Sequence, residues 1–194
     1  MSATMTLLLL SALEVLGLVA GAEERQQEMR SRYVYLETQE NWRLDPYGRI
    51  ITGSNRSKTF EVLLVNGQRY RKLIGRNGKP LTAAEAWEVE EDMKRVQPKA
   101  EKGSLLRDLA STHEVVVEGS VIIAKGASKN YTITFDPETH AIRKQVSEGG
   151  GTRMVIEYTC LPGGVYLPER VEVDFTVGDV HGLQVSTFSN FKAN

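Results

Sequence analysis

Three residues in "TFDPETHAIRKQ" have the types needed for chemistry: Asp136, Glu138 and His140, spaced two apart. A carboxylate pair beside an imidazole could bind a metal ion or pass a proton. Either role needs the groups to converge in a cleft. These three stand between two alternating runs of about six residues, and Asp136-Pro137-Glu138-Thr139 has the composition of a tight turn, with Asp first and Pro second. Side chains at a hairpin tip diverge into water, so the stretch is expected to be a turn. The other histidines, His113 and His181, fall in turn-like contexts without ligand spacing. Ser104, Ser111 and Ser189 lack the G-x-S-x-G elbow of a serine hydrolase. Cys160, the only cysteine, alternates with Met154, Ile156 and Tyr158 and reads as a small core-facing residue. "EGGG" at 148–151 precedes no helix and reads as a hairpin loop rather than a phosphate cradle. No enzyme, metal or cofactor is implied.

The elements around these residues are mostly strands. "YVYLETQENWRL" alternates imperfectly, with Val34, Leu36, Trp42 and Leu44 on one parity and Glu37, Gln39 and Asn41 on the other. Asp45-Pro46-Tyr47-Gly48 reads as a type I turn. A second strand, about Ile50 to Val65, sets Phe60, Val62 and Leu64 on one face. Asn66-Gly67 is a hairpin signal, and "QRYRKLI" returns. The period then changes. Thr82 with Glu85 forms a capping box, and a helix over Ala83 to Val96 carries Ala86, Val89, Met93 and Val96 on one side, with Trp87 beside them. Pro98 stops it. A short second helix after Ser104 carries Leu105, Leu106 and Leu109. From Glu114 onward alternation resumes, with Tyr131, Ile133 and Phe135, then Met154, Ile156 and Tyr158, then Val171, Val173, Phe175 and Val177 on apolar parities. About nine antiparallel strands and one helical excursion result.

The N-terminus differs. "MTLLLLSALEVLGLVAGA" is an apolar run closing on Ala20-Gly21-Ala22, followed by "EERQQEMR". It reads as an export signal over 1–22, cleaved after Ala22, leaving 23–194 as a single domain. A short membrane anchor and a buried N-terminal helix are the alternatives. The run is about 15 residues, short for a span of about 20. A lone cysteine cannot build an internal disulfide, and export without disulfides suggests a bacterial periplasm or cell exterior. The chain has 194 residues and a formal net charge of -1. It shows no basic stripe interleaved with aromatics, so nucleic acid is not expected as a partner.

If every strand turns one apolar face inward, about nine strands present roughly 25 such side chains. Two short helices cannot cover them all. Either the sheet closes into a packed barrel, or it stays open and the helices roof a hydrophobic cavity. In the second case Val62, Leu64, Trp87, Met93, Tyr131, Ile133, Phe135, Met154, Ile156, Tyr158, Val173 and Phe175 are the candidate lining residues for an apolar ligand.

The tail "YTITFDPETHAIRKQ…GGGTRMVIEYTCLPGGVYLPERVEV…GLQVSTFSNFK" resembles the C-terminal half of the LolA/LolB-like superfamily of periplasmic lipoprotein carriers. The "FDPET" hairpin and the segment bearing Gly164, Leu167 and Pro168 carry the likeness. The front, "YVYLETQENWRLDPYGRI…YRKLIGRNGKPLTAAEAWEVEE", resembles exported proteins of unassigned function from environmental bacteria. The resemblance implies a mainly β fold, an unclosed half-barrel with a helical lid, holding lipid or the acyl chains of a lipoprotein. It also implies a monomer that touches membranes only transiently. A protein-interaction or stress-sensing domain of RseB-like type is the alternative from another class.

Overall fold

The structure, a computed structural model, describes residues 11–65, 68–95 and 105–194. The Asn66-Gly67 turn, the end of the expected helix at Val96, Pro98 and the Ser104 cap lie outside the described residues. So does the start of the apolar run.

Helix α1 (Ala12–Arg30) opens with a reciprocal capping box between Ser11 and Glu14. Strands β1 (Tyr33–Leu44), β2 (Arg56–Val65), β3 (Gln68–Arg76) and the two-residue β4 (Lys79–Pro80) follow. The excursion holds α2 (Ala83–Lys94) and α3 (Leu105–Thr112). Then come β5 (Glu114–Glu118), β6 (Val121–Lys125), β7 (Asn130–Phe135), β8 (Ile142–Gly149), β9 (Thr152–Leu161), β10 (Val165–Val177) and β11 (Val180–Ala193). All lie in one 11-stranded antiparallel sheet, in the order β4-β3-β2-β1-β11-β10-β9-β8-β7-β6-β5. β4 and β5 are both edges, so the sheet is an open half-barrel and the closed-barrel alternative is not formed.

Two of the turns place glycine where the backbone needs a positive φ. Gly48 at φ 77° closes the Asp45 turn, donating its amide to the Asp45 carbonyl at 2.9 Å. Gly150 and Gly151 both take positive φ between β8 and β9, a conformation that costs glycine little.

The core lies where α1 and α3 cross β6–β8. Leu16, Val19 and Ala20 of α1 and Leu106 and Leu109 of α3 meet Ile122, Ala124, Ile133, Phe135 and Ile142 of the sheet. α1 continues unbroken through Ala22, the point at which the sequence suggests cleavage. Its second half is pinned by polar contacts. Gln26 donates to the Gly164 carbonyl and accepts from the Tyr166 amide, both at 2.8 Å. Arg30, itself buried, donates to the Tyr166 carbonyl and pairs with Glu23 at 2.7 Å.

The helical cover therefore comes from α1 and α3. α2, expected as part of the roof, buries none of its residues. It meets β3 through Tyr70, whose hydroxyl lies 3.4 Å from the Val89 carbonyl, and through the Lys72–Glu90 pair. Tyr70 and Lys72 alternate with Arg69 and Arg71, so α2 sits on the opposite face from α1.

Candidate functional site

Strand register shows which residues share the face on which α1 and α3 lie. One row runs Ile122, Ile133, Gln145, Ile156, Val171, Ser186, Gln39, Lys58. The next runs Ala124, Tyr131, Ser147, Met154, Val173, Gln184, Asn41, Arg56. A third links Phe175, Gly182 and Arg43. These rows divide the inner face into three zones.

The first zone, β5–β8, is roofed. Ile133 and Phe135 are buried beneath α1. Tyr131 packs edge-on against His113, with ring centroids 5.4 Å apart. Ser147 is 1% exposed, and its hydroxyl is a buried group without a hydrogen-bond partner. Tyr158 stands at the border under the Arg30 guanidinium, 4.8 Å from its ring. Burial pushes its hydroxyl pKa up to about 12, although the arginine pulls the other way.

The second zone is an apolar trough on β9 and β10. Met154, Ile156, Val171, Val173 and Phe175 are each only half-buried. Gly182 belongs to it by omission, because a Cβ there would lie 2.5 Å from Phe175 Cζ. Only glycine lets that ring lie against β11.

In the third zone, β11, β1, β2 and β3, strand β1 reverses the expected polarity, while β2 turns Phe60, Val62 and Leu64 inward as its alternation predicts. The polar parity of β1, Glu37, Gln39 and Asn41, points inward, and Val34, Leu36, Trp42 and Leu44 take the other face. The premise that every strand turns its apolar parity inward fails here. The reason is a set of internal partners. Glu37, 6% exposed, accepts two hydrogen bonds from Arg71 at 2.7 and 2.8 Å. Arg71 also lies 4.1 Å from the centroid of the Phe60 ring. The Gln39 side chain donates to Asn41 and Gln184, each at 3.2 Å. Arg69 donates to the Arg30 carbonyl at the end of α1 and lies over Tyr35. Arg43, Arg56 and Lys58 share this face. Among the described residues none of the three has a carboxylate within ion-pair distance. At the end of the trough, Asn41, Arg43, Ile51, Arg56, Phe175, Val180 and Gly182 line one open groove of about 480 Å³.

Of the residues named from sequence, Met154, Ile156, Val173 and Phe175 come together in the trough. Ile133, Phe135, Tyr131 and Tyr158 share their face under or beside the helical cover. Val62, 1% exposed, and Leu64 lie on the same face further along β2. Trp87 is 65% exposed, and Met93 belongs to the same unburied helix on the other side of the sheet. Sequence reasoning placed Val171 on the apolar parity of Val173 and Phe175 without naming it as a lining residue, and it missed Gly182 and the inward cations. The cations were signalled by a shared parity: Arg43 follows Glu37, Gln39 and Asn41, while Arg56 and Lys58 precede Phe60.

Asp136, Glu138 and His140 do not converge. Asp136 accepts the amides of Glu138 and Thr139, each at 3.0 Å, and pairs with Arg143. The Thr139 amide first, then that of Glu138 and Arg143, hold its carboxyl at about 2. His140 turns away at φ 58° and stacks on Phe135. No group of three or more His, Cys, Asp or Glu side chains able to hold a metal occurs among the described residues. Cys160 is exposed rather than core-facing. It stands at the end of β9 beside the Leu161–Gly164 turn, where its short side chain stays open to solvent.

No family model and no curated protein matches the chain. Among solved structures it is similar to a LolA superfamily protein of Nitrosomonas europaea, with a TM-score of 0.36 and 7% identity, covering 95% of this chain and 94% of that one. It is also similar to the Pseudomonas aeruginosa MucA/MucB complex, with a TM-score of 0.28 and 10% identity, covering 91% of this chain and 99% of that one. At these scores the likenesses decide nothing about function, which must be read from the inner face itself.

Proposed function

We propose that the protein is a non-enzymatic binding module for lipid or for the acyl chains of a lipoprotein, held in the trough of the half-barrel. The observation that carries this reading is the half-buried strip of Met154, Ile156, Val171, Val173 and Phe175 on the helix-bearing face of an open sheet. Leaving apolar area wet forfeits about 25 cal/mol for each Å², and a contiguous strip of this kind marks a surface that is covered in use. Binding would come from desolvation and dispersion, with no cofactor. The module would work in the bacterial envelope as a monomer, a location that accords with a lone cysteine, which builds no internal disulfide. Among the described residues no helix is long and apolar enough to cross a membrane.

A second reading is a protein partner added along β5. That edge leaves Val116 42% exposed. Glu114 and Glu118 at its two ends discourage strand addition, so the trough is preferred.

Titration with a fluorescent fatty acid tests the reading, with circular dichroism on the same samples. The wild type should bind saturably at one site. Ile156→Asp should stay folded, because its carboxylate can reach water from a half-buried position, and should bind the probe about tenfold or more weakly. A folded wild type without saturable binding would end the proposal.

A further inference from the structure

The trough does not end in an apolar wall. Beyond Phe175 and Gly182 it opens into the groove that also holds Asn41, Arg43 and Arg56. Lys58 lies one row further along the same face, beside Gln39. In a chain of net charge -1 this part of the inner face carries Arg43, Arg56, Lys58, Arg69 and Arg71, against Glu37. Arg71 is engaged by Glu37 and Arg69 by the Arg30 carbonyl. Arg56 donates to the carbonyls of Gly53 and Asn55, which leaves its charge uncompensated. Glu40, Glu61 and Glu172 fall on the opposite parity of their strands and face the other way.

We infer that the ligand of this trough is an anionic amphiphile, its oxyanion headgroup held by Arg43 and Arg56 and an apolar chain laid from Phe175 toward Ile156. The inference rests on the acyl-binding reading above and adds the headgroup to it. Neighbouring strands stand about 4.8 Å apart, so Arg43 is about 10 Å across the sheet from Phe175 and Arg56 about 10 Å from Val173's neighbour Gln184. One headgroup can therefore sit between the two guanidiniums while the first carbons of its chain meet the Phe175 ring. Guanidinium is suited to this work, since its planar donors match carboxylate and phosphate oxygens in pairs. The side-chain amides of Gln184 and Asn41, whose oxygens accept from Gln39, stand between cations and trough and offer N–H donors to a headgroup that a hydrocarbon cannot use.

Isothermal calorimetry with four probes tests it: dodecanoate, dodecyl phosphate, dodecanol and inorganic phosphate. Both anionic amphiphiles should bind at one site about tenfold or more tightly than dodecanol, and less tightly as salt is raised. Arg43→Gln with Arg56→Gln, checked for folding by its melting curve, should reduce both anions to the affinity dodecanol shows for the wild type. If that pair unfolds the protein, Arg56→Lys alone, which keeps the charge and loses the planar fork, should weaken binding by a smaller factor. Equal binding of dodecanol and the anions would overturn the headgroup inference and leave the acyl reading standing. Absence of binding by all three amphiphiles would overturn both. Inorganic phosphate binding as tightly as dodecyl phosphate would show a simple anion site and overturn the placement of the chain.

Discussion

A chain beginning at Glu23 removes the first half of α1, and the structure states what that costs. Leu16, Val19 and Ala20 are 3%, 0% and 4% exposed and cover Ile122, Ile133, Phe135 and Ile142. Burying a leucine or valine side chain is worth about 1.5–3 kcal/mol, so two of them give about 3–6 kcal/mol before the newly wetted sheet residues are counted. Domains of this size are stable by about 5–15 kcal/mol in all. The shortened chain should therefore lose cooperative unfolding or show a much lower urea midpoint, followed by circular dichroism. In the full chain Val19→Asp should do the same, by burying a carboxylate without a partner. By the same packing, N-terminal sequencing of the folded protein from its host should begin before Leu16. A chain starting at Glu23 that unfolds at the full-length midpoint would refute this reasoning. The boundary after Ala22 would then stand, and the surface over Ile133 and Phe135 would be open to ligand.

Three further outcomes follow from single residues. Asp136 titrates at about 2 when folded against an ordinary 3.8, so its contribution is complete above about pH 4 and is lost as pH falls toward 2. Asp136→Asn should lower the melting temperature at neutral pH, and the gap from wild type should close near pH 2. Ser147→Ala removes a buried hydroxyl without a partner and should raise stability by about 1 kcal/mol in urea titration. Trp87→Ala, on a helix that buries none of its residues, should change stability by less than about 0.5 kcal/mol and leave fatty-acid binding at its wild-type strength.

Much of the fold was legible because strands write their faces at period two. Ile133, Ile156 and Val173 were placed on one face by parity alone, and the register agrees. The Thr82–Glu85 capping box located the start of α2 at Ala83. Its position was not legible, because an apolar stripe of Ala86, Val89 and Met93 says only that one side is less polar. What anchors α2 is polar, the Lys72–Glu90 pair across 18 residues of chain. α1 was hard for a different reason. An export signal and a core helix ending in small residues share the same composition, and the distant partners Ile122, Ile133 and Leu109 against which α1 packs are not legible in it. The polar half of the inner face was hidden because β1 was read with its apolar parity inward. Glu37 could be recognised as an inward residue only with Arg71 beside it, 34 positions away.

The central claim is that an apolar chain lies in the trough of β9 and β10. Photo-crosslinking with a diazirine-bearing fatty acid, followed by peptide mapping, tests it most directly. Saturable adducts are expected on Met154, Ile156, Val171, Val173 or Phe175, competed by unlabelled fatty acid. Adducts confined to α2 or to the face carrying Leu36 and Val155, or labelling that no competitor reduces, would contradict it.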